Sequence, residues 1–238
     1  MDRIRRRGVL IVAVATVVAV TCVALGLWQL RRLDERRARN AAVLRASEAP
    51  AVGAGNASDI APLTAFRRVN VRGSYDVEGE ALLYGRALNG EPGHWVLTPL
   101  VFGPGDAVLV IRGWVPFSMA DRAPVTEAPP IARDVTVRGW LIPAETNGAT
   151  RPDADGVIRT LDLEGIESRL PYDLVPFALQ LHGQDPPPPP FPVQIPLPEP
   201  SEGPHLSYAI QWFSFAAIAV IGAAILLRRE RRGATAAP

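Results

Sequence analysis

A histidine, a tyrosine and a tryptophan stand at the head of the last apolar stretch of this chain. His205, Tyr208 and Trp212 follow one another at i, i+3 and i+7, which puts them on one side of a helix. A neutral imidazole is a metal ligand. A phenol and an indole beside it either flank a flat group or serve as an aromatic belt at a membrane surface. Below them the same side is small, with Ala209, Ala216, Ala219 and Ala223, so a flat group or another helix backbone could approach closely. Pro204 suits the first turn of such a helix, where a missing N–H is harmless. Near the other terminus Gly8, Ala15, Ala19, Cys22 and Gly26 make a second small stripe, and Gln29 follows on that side. If the two stripes pack together, Gln29 comes level with His205. Ala and Gly are also frequent in apolar helices of Arg-rich, Lys-free sequences such as this one, so the stripes alone do not decide the matter. The other histidines, His94 in a turn-to-strand segment and His182 beside a Pro-rich loop, are expected at the surface.

Two apolar segments would hold these residues. Residues 205–227 have no formal charge between His205 and Arg228, enough to cross a hydrocarbon core of about 30 Å. Residues 8–30 are uncharged and bounded by Arg7 and Arg31. A cleaved signal peptide is the competing reading of this first segment. Its apolar stretch exceeds the usual h-region, and no clear cleavage site follows, which favours a retained anchor. Arg3, Arg5, Arg6 and Arg7 before the first span, and Arg228, Arg229, Arg231 and Arg232 after the second, lean towards cytoplasmic termini. Arg31, Arg32, Arg36, Arg37 and Arg39 oppose that bias. Residues 1–7 and 228–238 are therefore expected in the cytoplasm, with the middle of the chain outside it.

The intervening sequence, about 175 residues, suffices for one domain with its own core. Residues 31–62 read as a helical extension of the first span followed by a loop, with no Pro or Gly from Trp28 to Ala46. Residues 63–184 read as a β-rich domain. Strands are expected at Arg68–Tyr75, Ala81–Arg86, Trp95–Phe102, Ala107–Val115, Asp134–Ile142 and Tyr172–Leu181, the fourth of them apolar almost throughout and so central. Asn89-Gly90 and Glu91-Pro92-Gly93 are turn signals. A possible short strand covers Gly156–Thr160, and Asp162–Leu170 has the look of a short helix. Arg72-Gly73, Arg112-Gly113 and Arg138-Gly139 each precede an aromatic residue, a pattern read as bulges or close backbone approaches in a small curved sheet rather than a ligand site. Residues 185–204, with an unbroken proline run from Pro186 to Pro190, read as an extended spacer. The expected fold is thus a membrane protein of α+β type, two transmembrane helices flanking a mostly antiparallel β domain with a short helix.

Several functions are disfavoured. A net charge of +1 gives no signal for nucleic acid. The lone Cys22 allows no intrachain disulfide and no Cys-based metal cluster. No G-x-S-x-G, H-E-x-x-H, C-x-x-C or Gly-rich phosphate loop occurs, and Asp153, Asp155 and Asp162 fall in loop-like or capping positions, so an enzyme is not expected. Nor is there a Met- or Cys-based copper site.

Four segments in order resemble the Surfeit locus protein 1 (Surf-one) family of cytochrome c oxidase assembly factors. Gly26-Leu27-Trp28-Gln29-Leu30-Arg31-Arg32 is similar to the family's G-x-W-Q-x-x-R. Gly93-His94-Trp95-Val96-Leu97-Thr98-Pro99-Leu100 is similar to its G-aromatic-x-V-x-T-P-L, with the aromatic residue after Gly93 displaced one place by His94. Val108-Leu109-Val110-Ile111-Arg112-Gly113-Trp114-Val115-Pro116 is similar to V-L-V-x-R-G-W-V-P, and His205-Leu206-Ser207-Tyr208-Ala209-Ile210-Gln211-Trp212-Phe213 to H-x-x-Y-A-x-Q-W-F. The resemblance implies an assembly factor in the cell membrane that helps place haem a in the catalytic subunit of the oxidase, alongside the haem a synthesis machinery. It implies His205 as haem ligand. The resemblance carries over to His205 alone; the chemistry of its surroundings adds that Tyr208 and Trp212 could flank a porphyrin with Gln29 beside it, and that Arg31 and Arg32, at similar depth on the first span, could meet its propionates. A scaffold or accessory subunit that binds no haem is the alternative, with His205, Tyr208 and Trp212 as an interfacial belt.

Overall fold

The computed structural model describes residues 2–131, 133–145, 151–197 and 200–235. The chain divides into two compact units, one of residues 1–42 with 200–238, the other of residues 43–199.

The first unit consists of helical chain. Good helix formers without Pro or Gly after Gly26 carry helix α1 without a break from Asp2 to Glu48, about 70 Å at 1.5 Å per residue. Helix α4 covers His205–Thr235. Both are long and apolar enough to cross a membrane. Their apolar stretches are almost wholly exposed on the outward sides, as at Val9, Val17, Ile210 and Ile218. The small stripes meet towards the His205 end, where Cys22 and Gly26 of α1 and Ala209 and Ala216 of α4 are buried, while Ala15, Ala219 and Ala223 line an open groove further along.

The second unit is a β domain. Its elements are β1 (Val52–Ala54), α2 (Ala57–Ile60), β2 (Arg68–Tyr75), β3 (Ala81–Leu88), β4 (Glu91–Gly103), β5 (Asp106–Pro116), β6 (Val135–Pro143), β7 (Val157–Ile158), α3 (Leu163–Glu167) and β8 (Asp173–Asp185). Strands β2, β6, β8, β5 and β4 neighbour one another in that order, and β4 pairs back onto β2, which closes a barrel. The pairings are antiparallel except β5 with β8, β1 with β2 and β3 with β7. Pro99 sits in β4 where the neighbour changes: β3 pairs up to Leu97, β2 from Leu100, and the Pro99 carbonyl accepts from the Asp76 N–H. A residue without an N–H costs little at that handover.

One apolar cluster draws on all five barrel strands, through Val69 and Val71, Leu100, Val108 and Val110, Val137 and Leu141, and Leu179 and Leu181. It is the barrel interior. The opposite side of β5, with Leu109 and Ile111, packs against Ile166 of α3 and Leu161 just before it. Burial on both faces explains why β5 reads as an apolar run from Ala107 to Ile111, which the paired Arg112 interrupts before Trp114 and Val115.

Several expectations need correction. Asn89 and Gly90, with φ of 54° and 85°, do turn the chain between β3 and β4, but Glu91-Pro92-Gly93 lies inside β4, where Pro92 pairs with Ala87. The stretch after α1 is not only loop, since β1 adds to β2 and α2 packs Ile60 into the barrel core. The proline-rich segment is not a free rod: Val193 and Trp114 exchange backbone hydrogen bonds of 2.8 and 2.9 Å, and Gln180 Nε2 donates to the Ile195 carbonyl at 2.8 Å. Glycine makes this docking possible. Gly113 has φ of 154°, and a Cβ there would strike the Val193 carbonyl. The mid-strand glycines thus admit neighbouring backbone, as Gly73 does for Val101 and Gly139 for Gln180.

Candidate functional site

His205 opens α4, and its position is set by contacts within the first unit. The ring is half-buried, with Nδ1 2.9 Å from Oε1 of Gln29. The two small stripes therefore do bring Gln29 level with His205. One turn beyond Gln29, Leu33 is buried at 3% exposure, and one turn below His205, Ala209 at 1%.

The chain leading into α4 is clamped to α1. Arg36 Nε and Asn40 Nδ2 both donate to the Ser201 carbonyl at 3.1 Å. Arg37 holds both carboxylate oxygens of Glu202 at 2.9 Å. That fork keeps the Glu202 carboxyl below its usual range and raises the Arg37 guanidinium in turn. Gly203 follows with φ of 70° and donates its N–H to Ser201 Oγ at 3.1 Å, and the Pro204 carbonyl accepts from the Tyr208 N–H at 3.1 Å. The Ser201–Gly203 turn, in a stretch read as spacer, is thus part of the site. Its signals were the Ser-Glu-Gly-Pro turn composition and the one-turn spacing of Arg36 and Asn40.

The other predicted residues divide. Trp212 is half-buried and stands edge-on to Phe215, ring centroids 5.9 Å apart. Tyr208 is 47% exposed and turns outward. Arg31 is exposed, and Arg32 is bound to Glu35 of its own helix at 3.0 Å. Room for a flat group directly beneath His205 is absent. There Phe213 fills the space that Gly26 leaves, its ring 2.7 Å from where a Cβ would stand. Open space lies lower, in a groove of about 470 Å³ lined by Leu10, Val14, Val18, Ile218, Gly222 and Leu226, and in another of about 370 Å³ beside Val12, Thr16 and Val220. Ile218 is roughly 20 Å along the axis from His205 at 1.5 Å per residue.

The two motif segments in the β domain do structural work. Arg112 and Glu80 form a buried ion pair at 2.9 Å, Thr98 Oγ1 donates to Glu80 Oε2 at 2.6 Å, and the Val125 N–H donates to Glu80 Oε1 at 2.8 Å. Trp114 Nε1 donates to the Arg86 carbonyl at 3.0 Å. His94 is not a surface residue: it is 4% exposed and stands edge-on to the stacked rings of Tyr84 and Phe117. His182 is exposed against Trp140, as expected. Asp162 caps α3 by accepting from the Gly165 N–H at 3.2 Å, and Asp153 Oδ1 accepts from Asp155 and Val157, so these carboxylates serve backbone. No group of three or more metal-binding side chains occurs among the described residues.

The pairing of Gln29 with His205 joins segments from opposite ends of the chain, and a family description that needs both must extend across nearly all of it. The SURF1 family model matches residues 16–217. The chain belongs to the SURF1 family. A SURF1-like protein of Rickettsia felis is 28% identical over 215 residues, covering 87% of this chain and 92% of its own length. The SURF1-like protein of Rickettsia conorii is likewise 28% identical over 215 residues, 87% of each chain. An uncharacterised SURF1-like protein of Mycobacterium bovis is 29% identical over 188 residues, 75% of this chain and 68% of its own.

Proposed function

We propose that this SURF1-family protein is a biogenesis factor for haem–copper cytochrome c oxidase that helps deliver haem a to the catalytic subunit. It acts without turnover of its own. In this reading α1 and α4 span the cell membrane, both termini are cytoplasmic, and the β domain works on the outer side beside the oxidase subunit and the haem a synthesis machinery. His205 is the ligand to the cargo iron. The observation that carries the reading is the contact of His205 with Gln29, which makes one half-buried polar site from two distant motifs at the end of a helix pair.

Because Phe213 occupies the space under His205, the porphyrin is not received between the helices at that level. It is met from outside the helix pair; Tyr208 of α4 and Trp28 of α1 are each about half exposed. Arg31 is the residue left to pair with a propionate, since Arg32 is engaged by Glu35. The same exposed rings favour the rival reading, a scaffold held at the membrane surface by an aromatic belt.

Titration of the purified full chain with haem a, compared with His205→Ala, tests the proposal. A Soret band that changes on substitution, with weakened binding, supports it. An unchanged spectrum and affinity reject His205 as ligand. Sub-stoichiometric recovery with the oxidase fits delivery, whereas one-to-one occupancy fits the scaffold.

A further inference from the structure

We propose that Gln29 and Gly203 are positioning residues that present Nε2 of His205, rather than Nδ1, to an iron–porphyrin cargo. The proposal rests on the reading of His205 as ligand given above. A neutral imidazole has one N–H and one lone pair, and the groups opposite the two nitrogens decide which carries which. The atom 2.9 Å from Nδ1 is the amide oxygen of Gln29. An amide oxygen only accepts, so this contact is a hydrogen bond when Nδ1 bears the proton, and the lone pair then resides on Nε2. Among the described residues no hydrogen bond engages Nε2.

Gly203 keeps that nitrogen open. A Cβ at position 203 would stand 3.7 Å from Nε2 and 3.6 Å from Cδ2, in van der Waals contact with that edge of the ring, so a side chain there would crowd the approach to the ligating atom. The backbone reinforces the choice, because φ at Gly203 is 70°, in the left-handed region that favours glycine. One side of the ring is thus bonded and the other cleared. An imidazole that donates its remote N–H to an oxygen is fixed in orientation and is a more basic ligand, and losing such a partner typically weakens metal binding about ten- to a hundredfold. The opposite orientation of the Gln29 amide, with its NH₂ towards the ring, would leave the lone pair facing α1 and Nε2 protonated.

The test uses the full chain in lipid nanodiscs with ¹⁵N-labelled histidine, the His205 signals being assigned by their loss in His205→Ala. The expected spectrum has Nδ1 protonated and Nε2 bare. Gln29→Glu keeps this tautomer, Gln29→Leu mixes the two, and Gly203→Ala leaves it unchanged. In titrations with haem a, Gln29→Leu weakens binding about ten- to a hundredfold, Gly203→Ala also weakens it, and Gln29→Glu retains it. A protonated Nε2 in the unsubstituted protein, or full haem affinity in both Gln29→Leu and Gly203→Ala, overturns the assignment. If the unsubstituted protein fails to bind haem a while the Nδ1–H tautomer is seen, the ligand reading itself falls, and with it the presentation role.

Discussion

Arg112 and Glu80 face each other at 2.9 Å with side chains only 4% and 1% exposed. Two charges withdrawn from water are tolerable when each is fully hydrogen-bonded, and here Thr98, the Val125 N–H and the Ala128 carbonyl complete the set. The Arg–Gly–Trp strand motif is therefore a structural one. Replacing one partner, as in Arg112→Leu or Glu80→Leu, leaves the other charge buried and is expected to cost about 3–5 kcal/mol. Denaturant unfolding of the single and double variants checks this. The double variant should lose much less than the sum of the singles, and simple additivity would show that the pair is not coupled.

His94 supplies a pH dependence. Burial pushes its imidazole below the ordinary value of 6.5, against a smaller opposing pull from Asp121. The unfolded chain therefore takes up a proton at a higher pH than the folded one. Stability from this residue is complete above about pH 6.5 and is lost as pH falls below it. Thermal melting between pH 7.5 and 5 should show a decline that His94→Phe flattens. An equal decline in the variant would place the titrating group elsewhere.

The outline of the fold was legible where local pattern decides it. The alternation of Arg68–Tyr75, the apolar run of β5 and the unbroken helix formers after Gly26 each specify an element without help from distant residues. What was not legible depends on pairing at long range. Nothing near Ser74 or Tyr75 announces that they pair with Val101 and Leu100 to close the barrel. His94 looks polar by type, and only the rings of Tyr84 and Phe117 make its burial intelligible. In the site, the level of Gln29 with His205 could be read from the small stripes, but Phe213 closing the space beside Gly26 could not, because apolar helices carry phenylalanine on any side.

The docking of the proline-rich segment gives a sharper test of one such glycine. A methyl at Gly113 would strike the Val193 carbonyl, and φ of 154° is already unfavourable for any other residue. Gly113→Ala is expected to release the stretch around Val193 from Trp114 while the barrel interior, which does not include position 113, stays folded. Hydrogen exchange should then rise at the Trp114 and Val193 amides and not at Val108 or Val110. Protection unchanged at Val193 would mean that the segment is held by its other contacts alone.

The fork from Arg37 to Glu202 predicts how the entry to α4 responds to acid. Its carboxyl is held down chiefly by the hydrogen bonds to Arg37. A depressed carboxyl contributes above the unfolded value of 4.5 and loses its contribution as pH falls through the folded one. Glu202→Gln should therefore loosen Ser201–His205 at neutral pH, seen as faster amide exchange at Gly203. It should also remove any further loosening of that turn by acid. Both side chains are half exposed, so added salt should produce part of the same effect.

Phe213 and Gly26 determine whether the helix pair holds His205 where it is. The phenylalanine ring occupies the place of the missing side chain, so any residue larger than glycine at position 26 must displace it or separate the helices. Separation would act first on the nearest polar contact, that of Gln29 with His205 one turn above. With Cys22 replaced by Ala, cysteines at positions 29 and 205 should be joined by a short bifunctional thiol reagent. Adding Gly26→Leu should abolish the product. Phe213→Ala, which vacates the space without forcing the helices apart, should keep it. Cross-linking that survives Gly26→Leu would mean that the clamp of Arg36, Arg37 and Asn40 on Ser201 and Glu202 suffices to hold the head of α4, and that the small stripes are dispensable to the site.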